Sequence, residues 1–166
     1  MLYVLLAIVL FCTGLDQLTK ALIFGHDSAV IPGFIKFASV ENHGMVWGFM
    51  NGAKGMMIAV TVFTVFVIAL LVFLTVKYRK HMGTLMQIAL AAITGGAIGN
   101  LIDRIALGFV RDFICTEFIE FPVFNVADCF VTCGAILLGV ILIFTKRGHE
   151  FMNAVFPDEK KDQGAE

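Results

Sequence analysis

The chain has 166 residues, 59% hydrophobic and only 15% charged, with a formal net charge of −1 and a mean hydropathy of +0.91. A water-soluble domain is nearer half apolar and a quarter charged, so this composition excludes an ordinary soluble enzyme and indicates an integral membrane protein. The near-zero charge, with basic residues only in short clusters, argues against a nucleic-acid partner.

A bilayer core about 30 Å thick takes about 20 apolar residues in helix. Stretches at about 1–23, 56–76, 85–105 and 124–144 meet that length, which predicts one membrane domain over 1–166. The first stretch lacks a basic leading region and ends in DQLTK rather than small residues, so it reads as a retained helix rather than a cleaved signal peptide. Its Asp16 and Lys20 are four apart, the spacing of an intrahelical ion pair. The 24–55 connection holds VIPGFIKFASVEN, a Pro-Gly turn signal between β-branched and aromatic residues, which predicts short strands. NHGMVWGFM follows, where Met45, Val46, Trp47, Phe49 and Met50 gather too much apolar surface for a plain loop. That pattern predicts an element dipping into the lipid headgroup zone.

The second helix carries no charge. In the third, Gly95 and Gly99 form a small-residue face for close helix approach, and Asn100 shares a face with Asp103, three residues on, while Arg104 is four from Asn100. In the 106–122 connection, GFVRDFI and FIEFPVF read as strand-like pieces able to join the earlier strands in a small sheet. Asp112 lies in the first piece. Asn125 and Asp128 open the fourth helix, whose N-terminus favours an anion. The polar segment from about 157 to 166 reads as a disordered tail.

Lys77, Arg79 and Lys80 between helices two and three, with Lys146 and Arg147 after helix four, predict that both termini and the 77–84 loop are cytoplasmic. The expected fold is therefore an all-α integral membrane protein of four transmembrane helices, with a small extracytoplasmic β-sheet formed by the outer loops 24–55 and 106–122. This topology brings Asp16, Lys20, Asn100, Asp103, Arg104, Asp112, Asn125 and Asp128 to the outward side of the membrane.

Ionisable side chains at membrane depth are costly and mark function. Two carboxylates brought close share a proton, the arrangement with which an aspartic protease activates water and protonates the scissile carbonyl. Residue chemistry leaves open which two of Asp103, Asp112 and Asp128 meet. Asp103 beside Arg104 reads equally well as charge-compensated scaffold. No HExxH, GxSxG or GxGD motif is present, which disfavours other hydrolytic schemes, and Cys12, Cys115, Cys129 and Cys133 have no zinc-site spacing. A proton-coupled transporter or conduit is the alternative, but it calls for polar residues in both membrane halves, and here the cytoplasmic halves are apolar.

Five blocks in order carry a resemblance: DQLTK (16–20), ENHGMVWGF (41–49), GGAIGNLIDR (95–104), VRDFI (110–114) and FNVAD (124–128). With four helices between or around them, the chain resembles the bacterial lipoprotein signal peptidases (signal peptidase II). The resemblance implies a metal-free aspartic endopeptidase of the bacterial inner membrane, active at its outer face. Its substrate would be a diacylglyceryl-modified prolipoprotein, cut just before the lipidated cysteine, and globomycin-type cyclic peptides would inhibit it. By position the catalytic pair falls on Asp112 and Asp128. Asp16, Lys20, Asn42, Gly44, Asn100, Asp103, Arg104 and Asn125 match supporting or substrate-binding positions, with Asp103 paired to Arg104. Met45, Trp47 and Phe49 are expected to form a lid over bound lipid or peptide, and nothing in the resemblance demands more than a monomer. The chain departs from the family at Met45 and Val46, at Cys129, and at Arg111, which replaces an apolar residue and, on a strand, is expected to point away from Asp112.

Overall fold

In a bilayer every backbone polar group needs an internal partner, so long apolar runs become helices. The computed structural model describes residues 2–43 and 54–157. Its chain-spanning elements are α1 (Leu2–Ile23), α2 (Lys54–Tyr78), α3 (Thr84–Ala106) and α4 (Val126–Phe144). All four are long and apolar enough to cross a membrane.

α3 is the central helix and packs against α1, α4 and α2, whereas α2 is peripheral and has no buried residue in its most apolar stretch. Lipid tails give helices no hydrophobic reason to associate, so close contact between small residues must hold them. Gly95 lies against Val9 and Cys12 of α1, Gly96 against Ala127 and Val131 of α4, and Gly99 against the Asp16 carboxylate. The Gly95–Gly99 face read from the sequence thus serves α1, while Gly96 beside it admits α4.

The connections supply a three-stranded antiparallel sheet in the order β1 (Ser28–Ile31), β2 (Ile35–Asn42), β3 (Val110–Thr116). Pro32 and Gly33 make the β1–β2 turn. Gly33 takes φ +76° and Phe34 N–H donates to the Ile31 carbonyl at 2.9 Å, a geometry that glycine adopts without steric cost. Gly108, at φ +82° just past the end of α3, reverses the chain into β3. β2 and β3 pair Phe37 with Ile114 and Val40 with Asp112, with a register shift between Phe37 and Val40 that re-aims the end of β2.

Two expectations need correction. FIEFPVF forms no strand beyond a single bridge between Phe124 and Ile114, because Pro122 has no N–H to donate to a ladder. After α4 the chain also forms α5 (Lys146–Val155), a helix beyond the four expected. Thr145 adopts an extended conformation, ends α4 and caps α5, its hydroxyl accepting from Gly148 N–H at 3.0 Å. Phe151 then packs with Met82, Met86, Leu90 and Ile141. Phe151 in that cluster and Val155 packed against it are four apart and put one apolar face on an otherwise polar segment, and this spacing was the available signal for the fold-back. Residues 158–166, read as a disordered tail, lie outside the described residues.

Candidate active site

Polar residues of α1, α3, α4, β2 and β3 meet in one hydrogen-bonded network. Asp16 and Lys20 are fully buried and paired at 2.8 Å, as their spacing predicts. Asp16 also accepts Ala127 N–H at 3.0 Å, satisfying a backbone donor at the start of α4 that the helix itself leaves unpaired. Lys20 continues to Asn100 Oδ1 at 2.8 Å and to Asp103 at 3.4 Å.

Asn125 is the junction. As N-cap of α4 it forms a reciprocal capping box: Asp128 N–H donates to its side chain, and its own backbone N–H donates to Asp128 Oδ2, both at 3.0 Å. Its Nδ2 donates to Asp112 Oδ1 at 2.6 Å and to Asn100 Oδ1 at 3.0 Å. Asn100 Nδ2 in turn donates to Asp128 Oδ1 at 2.8 Å, and Asn42 Nδ2 to Asp112 Oδ2 at 2.9 Å. Asp112 and Asp128 therefore have every carboxylate oxygen engaged and share Asn125 as a common partner.

Backbone pairing brings the two aspartates together. Phe113 and Ile114 N–H both donate to the Phe124 carbonyl, and Phe124 N–H returns to Ile114. That clip joins β3 to the residue preceding the α4 cap. Burial pushes the Asp112 carboxyl up to about 6, against the lowering effect of its Asn42 hydrogen bond and with a further upward push from Asp128.

Asp103 is not among this pair's partners, nor is it paired with Arg104 as expected. It binds Arg111 at 2.8 Å and Lys20 at 3.4 Å. Consecutive helical residues diverge, so Arg104 cannot share the Asp103 face. Arg104 lies instead in the field of Asp128, Asp112 and Asp103, and its Nε is buried without a hydrogen-bond partner among the described residues. Gln17, passed over within DQLTK, bonds Asp103, the Gly99 carbonyl and Arg111. An amide one residue from Asp16 in an otherwise apolar helix was the available signal. Gly44, Met45, Trp47 and Phe49, expected to support or cover the site, lie outside the described residues.

The model of the family described as Signal peptidase (SPase) II matches residues 8–144. The chain belongs to the signal peptidase II family. Similar curated proteins include the lipoprotein signal peptidases of Staphylococcus carnosus (41% identical, 80% of this chain and 86% of that one) and Enterococcus faecalis (36% identical, 81% and 84%). That of Caldanaerobacter subterraneus is 41% identical over 84% of this chain and 95% of its own. A solved bacterial membrane enzyme at 2.3 Å resolution superposes with a TM-score of 0.72 at 30% identity, covering 97% of this chain and 95% of that one. As a signal peptidase II with four membrane-crossing helices, this chain is a multi-pass membrane peptidase.

Proposed function

We propose that this signal peptidase II is an aspartic endopeptidase with Asp112 and Asp128 as its catalytic pair. It removes the signal peptide of diacylglyceryl-modified prolipoproteins, cutting just before the lipidated cysteine. The observation that carries the reading is the Asn125 junction, which ties a β3 carboxylate to an α4 carboxylate.

The pair holds one proton. The ionised partner takes a proton from water as its oxygen attacks the scissile carbonyl carbon, and the protonated partner donates to the carbonyl oxygen. The tetrahedral intermediate collapses by breaking the C–N bond, and the amine of the lipidated cysteine leaves with a proton from the pair. The elevated Asp112 value suits a carboxyl that must keep a proton close to neutral pH. Asn42, Asn100 and Asn125 orient the carboxylates, while Asp16, Lys20, Asp103 and Arg104 hold the surrounding charge and the helix ends.

A lipid-modified signal helix reaches such a site laterally from the bilayer. The basic residues at 77–80 and 146–147 support an orientation with both termini cytoplasmic and the site at the outer face of the inner membrane. A globomycin-type cyclic peptide would compete for the same cleft, and a monomer suffices for the chemistry.

The test is a cleavage assay with the purified protein in lipid. Wild type cleaves a diacylglyceryl-modified prolipoprotein, leaves the unmodified one intact and is blocked by globomycin. Asp112→Asn and Asp128→Asn, still membrane-inserted, lose activity by on the order of 10³-fold or more. Wild-type turnover by a well-inserted Asp128→Asn protein would overturn the mechanism.

A further inference from the structure

Arg111 makes more contacts with one carboxylate than any other cation among the described residues. Its backbone N–H and Nε donate to Asp103 Oδ2 at 3.0 and 3.2 Å, and its Nη2 donates to Asp103 Oδ1 at 2.8 Å. The same Nη2 reaches Gln17 Oε1 at 3.0 Å. One residue of β3 is thus locked at once to α3 and α1. We propose that Arg111 is a positioning residue for Asp112, and that it keeps the buried ion cluster beside the aspartate pair at charge balance. This rests on the reading of Asp112 as catalytic.

Two arguments support it. Successive strand side chains point to opposite faces, so a clamp on position 111 sets the direction of position 112. Held by its guanidinium fork and its own N–H, Arg111 cannot slide along the strand, and Asp112 meets Asn125 and Asn42 from a fixed register. The second argument is charge. Asp16 and Asp103 are fully buried, and Lys20 and Arg111 together neutralise them. Without Arg111 the Asp16–Lys20–Asp103 group becomes net negative, and among the described residues Asp103 keeps Lys20, at 3.4 Å, as its remaining ion-pair contact, with Arg104 acting on it through the field alone.

The charged groups around Asp112 can be named by element. α1 supplies Asp16 and Lys20, α3 supplies Asp103 and Arg104, and α4 supplies Asp128. β2 supplies Glu41, opposite Arg111 in the sheet register, exposed and 3.5 Å from His43. Lys36 and Glu117 pair with each other at 3.3 Å at the far end of the sheet. Loss of the Arg111 charge therefore makes Asp112 harder to ionise and moves the alkaline limb of activity, where Asp112 gives up the proton it must keep, to higher pH. Lysine at 111 keeps the charge and loses the fork.

The experiment measures kcat/KM against pH on a diacylglyceryl-modified prolipoprotein for wild type, Arg111→Lys, Arg111→Met and Arg111→Gln. The two neutral variants are expected to shift the alkaline limb upward by about one pH unit, the scale of one charge acting across a few ångströms of protein. Arg111→Lys is expected to keep the wild-type midpoint with kcat lowered severalfold. Arg111→Gln, which retains a polar contact to Asp103, supplies the reading if Arg111→Met does not insert. An unmoved midpoint in the neutral variants overturns the proposal, as does a Lys variant that shifts as far as they do. Asp112→Asn is assayed alongside. If it turns over, the aspartate-pair reading fails; if it is inert while the midpoint stays put, only the role of Arg111 fails.

Discussion

Asp112 is 2% exposed, and its carboxyl is pushed up to about 6 mainly by burial, although two asparagines donate to it. A folded-state value above the unfolded one means that this group's stabilising contribution is complete below the ordinary carboxylate value and is lost as pH rises through about 6. Wild type should therefore lose stability relative to Asp112→Asn between pH 4 and pH 7, by up to about 3 kcal/mol. Thermal unfolding of both proteins in one detergent over that range measures it, and a pH-independent difference counts against a raised Asp112. At this scale the sequence was legible where partners lie one helical turn apart, as for Asp16 and Lys20. It misled for Asp103, because the adjacent Arg104 is turned away around the helix while Arg111, eight residues on, returns along β3.

Among the elements, α3 depends most on small side chains. A Cβ at position 99 would collide with the Asp16 carboxylate, whereas one at position 139 meets nothing within 4 Å. Gly99→Ala is expected to cost about 2 kcal/mol by overpacking the α1–α3 contact and to reduce activity by displacing Asp16 from Ala127 N–H. Gly139→Ala should leave stability within about 0.5 kcal/mol. Comparison of thermal midpoints and cleavage rates separates the two, and equal effects would show that Asp16 moves aside freely. The Pro-Gly hairpin was readable because proline and glycine dictate its turn. FIEFPVF misled because its apolar residues imitate a strand while Pro122 denies it a ladder.

At the scale of the molecule, the network around Asn125 and the α5 core share no residue among those described. Phe151 packs in a cluster with Met82, Met86, Leu90 and Ile141, and meets the Tyr78 ring edge-on at 6.0 Å. Phe151→Ala is expected to lower stability by about 3 kcal/mol while kcat/KM per folded molecule stays at the wild-type level. Unfolding and cleavage measured on one preparation check this, and a selective loss of kcat/KM would reveal coupling between α5 and the site.

The sequence by itself determined the four long helices, because a bilayer admits an apolar chain only with its backbone bonds closed inside each segment. It also determined that several costly polar groups sit in those helices and their connections. Only the tertiary structure decided how they sort. Asp103, Asp112 and Asp128 have the same side chain in similarly apolar surroundings, and their separations along the chain do not say which two meet. The clip between β3 and Phe124, followed at once by the Asn125 cap, brings Asp112 to Asp128, while Arg111 on the same strand takes Asp103. Backbone pairing between distant segments makes that choice, and no local spacing encodes it.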